Sequence, residues 1–173
     1  GEALEQAAAV PTGAREGCGR QTVIDATPAD CGRNVAFLKA VSERTGVHIV
    51  ASSGYYYEGE GAPAYFKFRM AYGSAAEEIY QMMRREVTEG VGDTGIRTGV
   101  IKVATSAGQI TDYEDLFLRA AARVSAETGT RIITHTQAGT MGSEQARRLI
   151  SYGAKPEHIM IGHLDNCTDM DEL

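Results

Sequence analysis

Short β-branched apolar runs alternate with stretches of helical spacing along this chain, and that alternation limits its fold more than any other feature. Five runs read as strands: 22–26 (TVIDA), 47–52 (VHIVAS), 99–105 (GVIKVAT), 131–136 (RIITHT) and 158–163 (HIMIGH). Asn34 is placed to cap a helix over 35–45 that Gly46 closes. The segment 58–73 reads as a long loop, after which Ser74 caps a helix to about residue 89 with Ile79, Met82, Met83 and Val87 as its apolar stripe. Thr111-Asp112-Tyr113-Glu114 fits a capping box opening a helix that stops at Gly129, and another helix near 143–152 ends at Gly153. An alanine-rich helical pattern over 2–16 precedes the first strand. Strand–helix alternation of this kind implies parallel strands with right-handed crossovers, hence an α/β sheet or a (β/α) barrel.

Composition narrows the function classes. The 173 residues suffice for one domain with its own core. A formal net charge of −6, with no basic block, argues against nucleic-acid and anionic-membrane partners. No apolar run reaches the length of a membrane span, and a cytoplasmic protein is expected. Because Gly1 falls inside a helical pattern, an upstream signal segment stays open. The three cysteines, Cys18, Cys31 and Cys167, are odd in number and lack CxxC spacing, which predicts thiols in a reducing compartment.

The 99–105 strand carries a lysine in the middle of its apolar run. Side chains alternate across a strand, so Val100, Lys102 and Ala104 share one face and Ile101 and Val103 the other. With both faces covered, Lys102 points into the protein, where burial disfavours the ammonium form. Three readings stay open: a Schiff-base lysine, a lysine carboxylated to a metal-binding carbamate, or a lysine paired with a buried acid. His135 near the end of the fourth strand and His163 at the end of the fifth fall at the depth of Lys102. In parallel α/β folds function gathers at the C-terminal ends of strands, so the three converge on one mouth. Zinc accepts imidazole nitrogen together with carboxylate-like oxygen, which favours the carbamate reading. His48 and His158, at strand starts, read as structural or solvent-exposed.

GVIKVAT, IITHTQAGTMG and IGHLDNCTD, together with TVIDAT, VHIVASSGYYY and EGVGDTGIRTG, resemble the phosphotriesterase family of the amidohydrolase superfamily. The resemblance implies a (β/α)8 TIM-type barrel with a two-metal centre, most simply zinc, with manganese, cobalt or iron as alternatives. It makes Lys102 the bridging carbamate, with His135 and His163 completing the more exposed metal site. A bridging hydroxide would then attack phosphorus or a carbonyl carbon. Tyr56 falls where the lactonase-like branch carries a tyrosine beside the metal, tilting the expected substrate toward a lactone or carboxylic ester, with organophosphates as side substrates. The alternative role for Tyr55–Tyr57 is packing of the barrel rim. Asp25 is expected to serve core hydrogen bonding, Asp165 and Asn166 fall at a relay position, and Cys167 reads as structural.

Two family features are missing. No HxH pair occurs, although the family's first strand carries one, and the aspartate of the family's last strand has no counterpart before Leu173. The five strands correspond to the family's second through sixth. The expectation is therefore a single partial barrel domain over 1–173, about five β/α units without the first and last strands. It would be a fragment expected to be inactive alone, or a chain completed by association, and a homodimer is left open. A non-catalytic barrel binding protein is the competing class, and a Schiff-base lyase the lesser enzyme alternative.

Overall fold

The computed structural model describes residues 21–165 and Cys167. Five strands, β1 (Thr22–Asp25), β2 (His48–Gly54), β3 (Val100–Thr105), β4 (Arg131–Thr136) and β5 (Ile159–Met160), form one sheet in chain order. Every neighbouring pair is parallel. Helices α1 (Val35–Thr45), α2 (Ala64–Ala71), α3 (Ala75–Thr88), α4 (Asp112–Thr128) and α5 (Gly142–Ser151) fill the connections. The result is the wall of a half-barrel with its helices outside. Among the described residues no helix is long and apolar enough to cross a membrane.

Helix starts and stops follow local chemistry. The Asn34 side chain accepts from the Phe37 amide and Gly46 ends α1 in the left-handed conformation. At α4 both halves of the capping box form between Thr111 and Glu114. Ser74 precedes α3 as expected, but its side chain makes no capping hydrogen bond. The segment 58–73, expected to be loop, contains α2. Pro63 supplies the fixed backbone angle of a helix start, and Phe66 is buried against Tyr55 and Phe117, so tertiary packing decides this helix. The fifth strand is shorter than expected: only Ile159 and Met160 pair with β4, and Pro156–His158 form a 3-10 turn instead.

The core lies between the sheet and its outer helices. Ile101, Val103 and Ile132 point outward to meet Ile79, Met83, Phe117, Leu118, Val124 and Leu149. Each such side chain contributes about 1.5–3 kcal/mol by leaving water. The small residues Ala120, Ala121 and Ala122 are all buried on α4, letting that helix approach closely. A buried ion pair, Arg33 with Glu86, stands behind β2: its two contacts are 2.6 and 2.7 Å, and Arg33 also donates to the Ser52 carbonyl at 2.8 Å. It ties the loop after β1 to α3 and β2, and so fixes one wall of the mouth.

Candidate functional site

The opposite face of the sheet, the barrel interior, carries Lys102. In β3 all six residues are buried, as the apolar run predicts, and Lys102 is 5% exposed. Its position requires a glycine next door. Gly54 is the register partner of Lys102, has φ +102, and a Cβ there would run into the Lys102 carbonyl oxygen. The Lys102 Nζ donates to the Thr134 carbonyl at 3.1 Å and joins no ion pair among the described residues. The buried-acid reading therefore finds no acid. Burial pushes the ammonium below the ordinary lysine range, partly offset by Cys31 nearby. A buried amine with no acid partner among the described residues, its ammonium form disfavoured, suits either covalent reading of Lys102.

His135 stands at the next strand's end, in register with Ala104 of β3, and is 9% exposed. Its Nε2 lies 2.8 Å from Gln137 Oε1 and 3.1 Å from the Tyr56 hydroxyl. The Tyr57 ring stacks on it at 6.0 Å and 5°, and the His163 ring lies 4.5 Å away at 60°. Burial lowers the His135 pKa, Gln137 opposes this, and the nearby His163 and Lys102 lower it further. Beneath the ring, the buried Gln145 of α5 donates from Nε2 to the His135 carbonyl at 2.8 Å and to Thr105 Oγ1 at 2.5 Å. One helix side chain thus fixes the ends of both central strands.

His163 reaches the same mouth by a different route. It lies past the end of β5, exposed, with φ +63. A non-glycine residue there carries backbone strain of about 1–3 kcal/mol that its surroundings must offset. Thr136 Oγ1 supplies part of that by sharing its hydrogen between the Gly162 and His163 carbonyls, at 2.9 and 3.0 Å. A Cβ at Gly162 would press on the Thr134 carbonyl oxygen, so this approach to β4 also needs glycine.

The three tyrosines divide. Tyr55 turns into the core against Phe66 and Phe117, at 5.3 and 5.4 Å. Tyr56 and Tyr57 face His135, and the Tyr56 amide donates to both oxygens of Asp30 at 3.0 and 3.1 Å. Asp30 is pushed up by burial, with the Tyr56 amide pulling it back down. Sequence reasoning missed Gln137, Asp30 and Gln145, and gave Tyr57 only a rim-packing role. Gln137 and Tyr57 had a signal, being two residues and one residue from predicted site positions, whereas Asp30 and Gln145 had none. Asp25 makes a local bond to the Thr27 amide at 2.9 Å. His48 is exposed, and His158 is half-buried with its Nδ1 buried and without a hydrogen-bond partner. Cys31 and Cys167 form no disulfide, Asp165 is exposed, and Cys18 and Asn166 lie outside the described residues.

The sequence profile of the phosphotriesterase family matches residues 12–173, nearly the entire chain. The chain belongs to that family. It is 35% identical over 156 residues to a phosphotriesterase homology protein of Escherichia coli (strain K12), covering 90% of this chain and 51% of the relative. An aryldialkylphosphatase of Saccharolobus solfataricus is 34% identical, covering 90% of this chain and 48% of its own. Among solved structures, a mutant PTE-like lactonase of Deinococcus radiodurans superposes with TM-score 0.84 at 62% identity, covering 86% of this chain and 46% of that one. The chain spans about half the length of the curated relatives it matches, and its five parallel strands with their helices make up a half-barrel of this TIM-barrel family.

As a metal-ligand set the site is lean. Among the described residues no three His, Cys, Asp or Glu side chains gather at one point. His135 and His163 could offer two nitrogens, and Lys102 is a candidate for a third donor. The buried amine fits that role once carboxylated, because a carbamate offers the oxygen that a divalent ion takes beside imidazole. Tyr56 and Gln137 both lie against the His135 Nε2, so an ion bound to that nitrogen would replace both hydrogen bonds.

Proposed function

We propose that this chain carries the Lys–His–His portion of the metal site of a hydrolase acting on lactones or carboxylic esters, with phosphotriesters as further substrates. The observation that supports it best is convergence. The His135 and His163 rings lie 4.5 Å apart at the C-terminal end of the sheet, and Lys102 is on the same face as His135 but two residues deeper than expected, in register with Ile133. Similarity to an aryldialkylphosphatase and to a PTE-like lactonase supports ester chemistry, and Tyr56 at the mouth tilts the reading toward lactones.

The residues have separable tasks. The neutral Lys102 Nζ bonds to carbon dioxide and releases one proton, giving a carbamate whose negative charge would be offset by the bound cation. His135 and His163 then present ring nitrogens, with zinc the first choice and manganese, cobalt or iron alternatives. A divalent ion at this position supplies Lewis acidity toward the carbonyl or phosphoryl oxygen and lowers the pKa of water. Tyr56 places its hydroxyl and ring at the edge of the centre, where an ester's leaving side would rest. Tyr57, stacked on His135, walls the imidazole from solvent.

Protein produced with zinc or manganese and bicarbonate should bind about one metal per chain, and Lys102→Ala should bind none while keeping its fold. Elemental analysis beside a 13C signal from labelled bicarbonate reads both. Equal metal content in the variant would sink the carbamate assignment.

A further inference from the structure

Glu114 does more than cap its helix. In a capping box the glutamate needs one carboxylate oxygen to reach back to the cap residue's amide. Here Oε2 does so, accepting from the Thr111 amide at 2.9 Å. The other oxygen is not in water, since Glu114 is 1% exposed. Oε1 accepts three further hydrogens, from the Glu58 amide at 3.1 Å, the Ser106 amide at 3.0 Å and the Ser106 hydroxyl at 2.6 Å. None of those donors belongs to α4. Glu58 directly follows Tyr57, and Ser106 directly follows the strand that carries Lys102. Glutamate is almost never fully buried unless its charge is met, and here two loops of the mouth and a helix start give the carboxylate four hydrogen bonds.

We propose that Glu114 is a positioning residue, whose Oε1 joins the tyrosine loop to the exit of the Lys102 strand and so holds Tyr56 and Tyr57 against His135. The tyrosine pair is pinned on both sides. Asp30 takes the Tyr56 amide ahead of it, and Glu114 takes the Glu58 amide behind it. Just past the second pin, the Glu60 and Gly61 amides fold back onto the Tyr57 carbonyl at 3.3 and 3.1 Å and close a turn behind the tyrosine pair. A carboxylate suits this task because four donors converge on it, and a neutral amide would turn its own N–H groups toward some of them. What the tyrosines do to substrate rests on the hydrolase reading; the anchoring itself does not.

The test compares Glu114→Gln and Glu114→Asp with Thr111→Ala in the 15N-labelled 173-residue chain. Glu114→Asp keeps the negative charge at the helix start but cannot span to Glu58 and Ser106, and it serves where Glu114→Gln fails to fold. Thr111→Ala breaks the same capping box from its other side. In the Glu114 variants the Glu58 amide should exchange about tenfold faster, and the Tyr56–His135 ring contact should disappear from the nuclear Overhauser spectrum. In Thr111→Ala that amide should stay within about twofold of the unaltered chain. An unchanged Glu58 amide and ring contact in the Glu114 variants would overturn the proposal, as would an equal effect of Thr111→Ala. With a chromogenic lactone as probe, KM should rise about threefold or more in Glu114→Asp at nearly constant kcat, and the reverse pattern would remove Glu114 from substrate positioning. If the unaltered chain, which carries only part of the metal site, turns over no lactone, the exchange and ring-contact results decide the anchor by themselves.

Discussion

The central and outer strands of the sheet are built from similar residues, yet they differ in what covers them and in how firmly they hold a site residue. Every residue of β3 is buried, and β4 is buried after Arg131, with a parallel neighbour on each side and helices α3, α4 and α5 behind. β1 and β5 each have one neighbour among the described residues, and there Val23, Ile24 and Met160 are 51, 50 and 53% exposed. Lys102 and His135 sit on the covered pair and inherit its rigidity. His163 follows the short outer strand and depends on one threonine hydroxyl and a left-handed backbone. An apolar strand sequence thus specifies a strand, while the number of its neighbours decides whether its side chains are buried.

The largest test of this contrast is a pair of identical substitutions. Ile101→Ala, at a fully buried position of β3, should cost about 3–5 kcal/mol in urea unfolding, and Ile24→Ala on β1 under about 1 kcal/mol. Equal costs would mean that β1 is covered by something outside the described residues. Gly54→Ala probes β2, between the two regions. It sets a Cβ against the Lys102 carbonyl in a backbone conformation that disfavours one, and should cost about 2–4 kcal/mol while lowering metal retention. Unaltered stability there would break the claim that β2 and β3 close tightly around the lysine.

A smaller effect than at Ile101 or Gly54 is expected behind the central strands, at Asp115 of α4. Burial pushes its carboxyl up, but hydrogen bonds from Arg119, Tyr152 and Arg148 together hold it below the ordinary aspartate range. A depressed pKa stabilises the fold above the unfolded-state value near 3.8 and stops doing so as pH falls through the folded-state value. Asp115→Asn should therefore cost about 1–3 kcal/mol at pH 7 and flatten the loss of stability below about pH 4. A variant whose stability falls with acid as steeply as the parent's would show that these bonds contribute nothing to the acid limb.

Much of the fold was legible in local sequence. β4 and the Asn34 and Thr111 caps occur where the pattern puts them, because periodicity and capping involve residues only a few positions apart. The burial of Lys102 was legible for the same reason, as one polar residue inside a β-branched run. Strand position grouped both histidines with the lysine and the family resemblance carried Tyr56, and the structure brings His135, Tyr56 and His163 to one mouth. Helix α2 was not legible, since its short apolar pattern sits in a glycine-containing stretch and becomes helical through Phe66 packing on distant aromatic rings.

The amino-acid sequence by itself determined the order of the strands and of every described α-helix but α2, the parallel topology and a lysine that must lie inside. The tertiary structure alone decided which groups surround it. Tyr56 meets His135 from 79 residues away, Asp30 takes the Tyr56 amide from 26, and Glu114 reaches the Glu58 amide across 56. Contacts at such separations leave no periodic trace, because they exist only after the sheet has aligned its strand ends and the loops have closed over them.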